Sequence, residues 1–429
     1  MDYKQITDNF LMKHNQHPDQ ISIDEIVKLM LKDIEAGLDG EESSLMMIPT
    51  YLTTSGNFHY DEPVVVIDAG GTNLRVAAVK FTEKGPEMLK MEKTKMLGTK
   101  KPLTKDEFFQ QLVDIILPYL SYSKKIGFCF SFPAEILPNK DGKIIAFCKE
   151  VEVSGCEGAI IGEEIKKELR KRNLDDDISV VILNDTVSTL LGGSIVDDNA
   201  VDGQIGLILG TGTNTAYVEK KENIKKLKDC PTETMIINME SGMFSKVPQG
   251  DFDKIVDEMS NNPSDHKFEK MISGVYLGNV ICETIKQADK EGLFTKNNTI
   301  ASLPEFSMIE VDQYLRAPFA DNLLANACPE KEDKELLYHF IDKAIDRSSK
   351  LVTANIAADI IQMDGGKNMY APVKVVMEGS TYHRCYSYKQ KIDYYMRTYV
   401  NDVLHRYYSF DSGDDVNLIG SAKAALINL

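Results

Sequence analysis

Two stretches of this chain repeat one pattern. VVVIDAGGTNLRVAAVK, from Val64 to Lys80, and QIGLILGTGTNTAYVE, from Gln204 to Glu219, each run apolar strand, glycine-rich turn, apolar strand. Branched aliphatic runs on either side of glycines read as strands joined by a tight turn. A unit that recurs far downstream implies an internally duplicated α/β architecture, each half carrying a turn of phosphate size.

The surrounding pattern supports that reading. Ile23, Ile26, Val27, Met30 and Ile34 have helical spacing, so the first fifty residues read as mostly helical. A helix is expected around Lys105–Ile116, a strand over IGFCFSFP ending at Pro133, and a hairpin turn at NKDG, 139–142. Gly158–Arg172 reads as a helix and ISVVILN as a strand. Phe268–Gly292 and Lys334–Met363 read as single long helices, VKVVMEGS (373–380) as a strand meeting a turn, and VNLIGSAKAALINL as a strand then a short helix. Alternating strands and helices imply mixed α/β with helices on both sheet faces.

A chain of 429 residues is too long for one hydrophobic core, so two domains are expected. Its 43% hydrophobic and 27% charged residues are ordinary for a globular protein. The formal charge of −17 argues against a nucleic-acid partner or an anionic membrane surface. Seven scattered cysteines without a CxxC pair read as reduced thiols of a cytoplasmic protein. The charged N-terminus lacks the apolar core of a signal peptide, and no apolar run reaches membrane-spanning length.

Several motifs carry chemistry. In DAGGTNLR, Gly70 and Gly71 expose main-chain N–H groups, Thr72 and Asn73 add donors, and Asp68 would face phosphates and orient Mg²⁺ through water. GTGTN, Gly210–Asn214, repeats the device. Each could be only a glycine hairpin, but two such turns suit a polyphosphate held from both sides. SFP (131–133), FCKEVEVSG (147–155), INMESG with Glu240, and HKFEK with His266 and Glu269 offer hydroxyl, lysine and carboxylates suited to a polyhydroxylated ligand. MEGSTYH (377–383) has a Gly-Ser turn fit to pass an adenosine. In ILNDTVSTLLGG, Asp185 stands between a buried strand and a helix. That is a helix N-cap position, and also a place for a general base.

With IDAGGTNLRV, GFCFSFP, VSGCEG, LNDTVSTLL, IGLILGTGTNTAYVE, INMESGMF, FEKMISGVYLG, MEGST and GSAKAAL in that order, the chain resembles the hexokinase family from about residue 60 to the end. The resemblance implies a ribonuclease-H-like, actin-like ATPase superfamily fold with two domains closing on a sugar cleft. Residues 1–60 would form a helical segment on the large domain (186–420), and 61–185 the small domain, completed by the C-terminal helix 421–429. It implies ATP-dependent phosphorylation of a hexose at its 6-hydroxyl, glucose first, with mannose or fructose as further acceptors. Asp185 matches the family's general base, and Lys149 the lysine that contacts sugar and transferring phosphoryl. Ser131, Phe132, Cys148, Asn184, Asn214, Asn238, Glu240, His266 and Glu269 fall at sugar positions. Asp68, Gly70, Gly71, Thr72, Asn73, Arg75, Gly210, Thr211, Gly212, Thr213, Gly379 and Ser380 fall in nucleotide segments. ATP with Mg²⁺ is the implied donor, with no direct protein ligand to the metal; oligomeric state is not implied.

The chain departs from the family pattern at Cys148 (for threonine), Glu150 (for glycine), Ser241 (for tryptophan), His266 (for glutamine), and Ala422 and Ala424 (for glycines). These bear on which sugar is taken. A kinase for an amino or N-acetylated sugar, or a sugar sensor on the same fold, is the alternative. Retention of Asp185, Lys149 and both turns favours the enzyme.

Overall fold

The structure is a computed structural model and describes residues 2–56, 59–147, 151–193 and 200–429. Its frame is two sheets of one design. In the first half, β1 (Val64–Ala69), β2 (Asn73–Thr82), β3 (Gly85–Lys95), β4 (Lys125–Phe130) and β5 (Ser179–Leu183) lie in the order β5-β4-β1-β2-β3. In the second, β6 (Gln204–Leu209), β7 (Thr213–Lys220), β8 (Thr234–Asn238), β9 (Val373–Glu378) and β10 (Tyr408–Asp411) lie in the order β10-β9-β6-β7-β8. The polarities also match. The three consecutive strands of each half pair antiparallel, and the last two add in parallel. The repeated strand–turn–strand text is therefore the first hairpin of each sheet. The two-residue strand Ile48–Pro49 extends the second sheet beyond β8.

Helices α1 (Tyr3–Lys13) and α2 (Ile23–Asp39) precede the sheets. Phe10, Leu11, Ile26, Met30 and Ile34 are buried with the core of the second half. α3 (Lys105–Ile116) begins at a capping box in which Thr104 and Glu107 bond each other's main-chain N–H groups, and α4 (Ile161–Lys171) leads to β5. Between β8 and β9 lie α6 (Asp251–Met259), α7 (Lys267–Ile272), α8 (Gly274–Lys290), α9 (Met308–Arg316), α10 (Leu323–Ala327) and α11 (Lys331–Gln362). α12 (Ser380–Arg384) and α13 (Tyr388–Tyr395) separate β9 from β10.

One helix follows the last strand of each half: α5 (Asp185–Gly192) after β5 and α14 (Val416–Asn428) after β10. They pack on each other and cross over. α5 lies against the second sheet and α14 against the first.

Two expectations are corrected. The segment 268–292 is not one helix, because Ser273 is extended (φ −77°, ψ 156°) and parts α7 from α8. The C-terminal stretch is helical from Val416 onward, and the fifth strand is Tyr408–Asp411, which was not read as a strand.

Candidate active site

Parallel strands end together, so whatever follows them is gathered on one edge of a sheet. In the first half Asp68, Cys129 and Leu183 stand in register on β1, β4 and β5. The DAGGTN turn, Ser131, and Asn184 with Asp185 therefore leave from the same edge. In the second half β6 and β9 end at Gly210 and at Gly379–Ser380. A Cβ on Gly379, which has φ 112°, would stand 2.4 Å from the carbonyl carbon and oxygen of Leu209. A Cβ on Gly210 would stand 3.5 Å from the Cα of Gly379. The GTGT turn and the Gly-Ser turn are thus in contact, and at position 379 only glycine admits this approach.

The GTGT turn is also buttressed from behind. The carbonyl of Gly210 accepts Gly274 N–H at 2.8 Å and the Thr381 hydroxyl at 2.9 Å. The extended Ser273 is what presents Gly274 there. Neither buttress was read from the sequence, although both lie inside quoted motifs, FEKMISGVYLG and MEGST.

Carboxylates and amides form the second cluster. Asn214 Nδ2 donates to Asn238 Oδ1 at 2.8 Å and to Glu240 Oε1 at 3.2 Å, and Asn238 Nδ2 donates to Glu240 Oε1 at 2.8 Å. Glu269 Oε2 accepts Thr213 N–H at 2.9 Å. Glu240 and His266 hold left-handed backbone (φ 56° and 49°), an unfavourable state for such residues that is commonest at functional sites. Burial raises the Glu240 carboxyl above its usual range. Hydrogen bonding by Asn238 opposes this, the negative charge of Asp185 adds to it, and His266 lowers it. Burial likewise raises Glu269 against the Thr213 N–H. Asp185, Glu240, His266 and Glu269 are therefore electrostatic neighbours. His266 Nδ1 lies 2.8 Å from Asp265.

Asp185 is also coupled to the first sheet. Burial, then the charges of Asp68 and Asp185, push the Cys129 thiol well upward, while Ser131 hydrogen-bonds it. One carboxylate thus acts on groups of both halves. The cap of α5 is Asn184, not Asp185: Asn184 Oδ1 accepts Thr186 N–H at 2.8 Å. This corrects the capping role considered for Asp185, which is the first residue of the helix.

Three further placements qualify the expected set. Phe132 is 4% exposed and its ring packs on Phe130 and Phe147 at centroid distances of 5.2 and 5.0 Å, so the ring belongs to the core of the first half. Arg75 donates through Nε and Nη2 to Asp68 Oδ2 (2.8 and 2.6 Å) and through Nη1 to Asp415 Oδ1 (2.7 Å), so it is a strut between carboxylates. Gly70, Gly71, Thr72 and Asn73 form the first turn, closed by Gly70 N–H to Asn73 O at 3.0 Å. Cys148, Lys149 and Glu150 lie outside the described residues.

The fit to a nucleotide and Mg²⁺ can be tested on these groups. Both turns offer main-chain donors with little side-chain cover, as anion binding needs. Arg75 occupies Oδ2 of Asp68, and the described residues contain no cluster of three metal-ligating side chains. A hard cation here would be held chiefly by phosphates and water, with Asp68 beside it.

A duplicated α/β unit with glycine turns at matching strand ends defines the class: a two-domain, actin-like ATPase fold. Comparison with known proteins narrows it. Hexokinase family models match residues 8–195 and 204–427. The "Hexokinase-like 1 protein" of Arabidopsis thaliana is 28% identical over 452 residues, spanning 94% of this chain and 87% of that protein. Human hexokinase-2 is 28% identical over 85% of this chain, and mouse hexokinase-3 is 31% identical over 63% of it. The matches span only 42% and 30% of those two mammalian proteins. The fold of Schistosoma mansoni hexokinase complexed with glucose superposes with a TM-score of 0.76 at 23% identity, covering 99% of this chain and 100% of that one. The chain belongs to the hexokinase family. Among its described residues no helix is long and apolar enough to cross a membrane.

Proposed function

We propose that the protein transfers the γ-phosphoryl group of ATP to the 6-hydroxyl of a hexose, with glucose as the first candidate and mannose and fructose next. The observation that carries this is the position of Asp185: after the end of β5, at the start of α5, with its charge felt by Cys129 of the first half and Glu240 of the second.

A sugar hydroxyl is a poor nucleophile and must lose its proton during attack. Asp185 takes that proton, a contribution of ~10²–10⁴-fold. Glu240 and Glu269 accept hydrogen bonds from sugar hydroxyls, and Asn214 and Asn238 hold the Glu240 carboxylate in place. Ser131 and the amide NH₂ of Asn184 complete the sugar side, with His266 at the rim. The turns Gly70–Asn73 and Gly210–Thr213 bind phosphates through the main-chain N–H groups at their tips, Gly71, Thr72, Thr211 and Gly212, since those of Gly70, Gly210 and Thr213 are already bonded, and Gly379–Ser380 borders the adenosine. Bound Mg²⁺ supplies charge neutralisation on the phosphates. Lys149 would add positive charge where the phosphoryl group passes. Residues 61–185 with 421–429 form one closing lobe and 186–420 the other, which excludes water as a competing acceptor.

A coupled assay of ATP consumption over a panel of hexoses and amino sugars tests the proposal. Consumption dependent on a hexose supports it. Dependence on an N-acetylated sugar alone redirects the substrate, and none with any sugar makes the protein a sensor.

A further inference from the structure

Behind the sugar-side carboxylates a line of buried polar groups runs between β7 and α11. Asn214 Oδ1 accepts Thr215 N–H at 2.7 Å and Ser241 N–H at 3.3 Å. The Thr215 and Ser241 hydroxyls are 2.9 Å apart, and Asn355 Nδ2 donates to Thr215 Oγ1 at 2.6 Å. Thr215 Oγ1 accepts from Asn355, and either hydroxyl of the Thr215–Ser241 pair can donate to the other. The Oδ1 of Asn355 is buried with no donor.

One helical turn further along α11 stands Asp359. It is 0% exposed, and neither of its oxygens has a hydrogen-bond partner. The titratable groups facing it across the helix–sheet contact are Glu219 and Tyr217 of β7. Glu219 is also fully buried but has four donors: Lys220 N, Asn223 Nδ2, Tyr217 Oη and Gln362 Nε2, at 2.7–2.9 Å. Of the two carboxyls, Glu219 is therefore the one with donors to hold a charge. A second anion beside it, without a donor or a cation, would be prohibitively costly. Burial, then the charge of Glu219, drives the Asp359 carboxyl well above its usual range. A neutral carboxylic acid has one O–H to give, and Asn355 Oδ1, four residues back on the same helix face, is an acceptor in need of one.

We infer that Asp359 is a positioning residue of the sugar site: as a neutral acid it donates to Asn355 and so steadies Thr215 and Ser241, whose main-chain N–H groups hold Asn214 beside Glu240. The sugar end of this inference rests on the role proposed above for those two residues.

Infrared spectroscopy of the wild type against Asp359→Asn tests the acid itself without any sugar. The carbonyl band of a protonated carboxyl is expected at neutral pH and should vanish in the variant; no such band overturns the inference. Hexose KM and kcat across pH then test the positioning role. The wild-type KM should rise as increasing pH takes the proton from Asp359, with kcat changing less than about twofold. Asp359→Asn keeps a donor that cannot titrate, so its KM should match the wild type at neutral pH and stay flat. Asp359→Leu removes the donor and should raise KM roughly fivefold to tenfold. Identical behaviour of the two variants, or a wild-type KM that ignores pH while Asp359→Leu lowers kcat instead, refutes the relay. If the wild type phosphorylates no hexose, the sugar end falls with the proposed function, whereas the infrared band still reports on Asp359.

Discussion

Glu269 on α7 accepts the main-chain N–H of Thr213 at 2.9 Å, immediately after the glycine turn that opens β7. A Cβ on Gly212 would stand 2.5 Å from the same oxygen, Oε2. One carboxylate therefore serves both the proposed sugar set and the second proposed phosphate turn. Glu269→Gln weakens a hydrogen bond to a charged group, an interaction worth about 1.5–3 kcal/mol. The KM for hexose and the KM for ATP should both rise, each roughly tenfold. Steady-state kinetics with either substrate varied checks this; a change confined to hexose would separate the two roles.

Asp185→Asn keeps shape and removes the base. The expected result is a fall in kcat of ~10²–10⁴-fold with hexose binding, followed by calorimetry, preserved. A fall of less than about tenfold would reject Asp185 as the base.

The buried Glu240 carboxyl predicts a pH signature. Burial raises its folded value above the ordinary one, so between those two values the folded state holds more proton than the unfolded state. Stability linked to this group is greatest below the ordinary value, declines as pH rises through the window, and is level above it. Glu240→Gln abolishes that share. Thermal midpoints of the two proteins should draw apart across the window, the wild type losing ground as pH rises. Hexose KM should worsen in the opposite direction, on the acid side, as the acceptor becomes protonated. Parallel midpoint curves would falsify the assignment.

Much of this was legible in the sequence because local chemistry and tertiary need agreed. The glycine hairpins, the bounds of α3 and the body of α11 follow from turn residues and periodicity. The misses came where tertiary contact decided. Apolar spacing continues across Ser273 because α7 and α8 both face the core, and the break exists to bring Gly274 N–H onto Gly210. α14 was misread in part because almost all of it is buried, against the first sheet on one side and α5 on another, so it shows no single apolar stripe. The Asn184 cap was missed because Asn and Asp are equally good caps, and only geometry chooses between neighbours. The Arg75–Asp415 pair joins residues far apart in sequence, beyond the reach of any local pattern.

The crossing of α5 and α14 makes the last prediction. A Cβ on Gly420 would lie 1.9 Å from Ser188 O and 2.9 Å from Gly192 N, and one on Gly192 would lie 2.1 Å from Val416 O. Ser188 Oγ also donates to Asn417 O at 2.7 Å, which ties the helices at the same place. The neighbours of Gly420 are main-chain atoms of a packed helix and cannot rotate away. Alanine favours a helix over glycine by about 1 kcal/mol, while overpacking a tight contact costs about 1–3 kcal/mol and occasionally more. At 1.9 Å the clash wins, so Gly420→Ala should lower the urea midpoint and weaken the joint on which lobe closure would turn. Gly413→Ala is the control: its Cβ would meet only Val416 Cγ2, at an ordinary 3.5 Å, and stability should stay within about 0.5 kcal/mol of the wild type. Equal midpoints for the two variants would mean that the helices yield at their crossing.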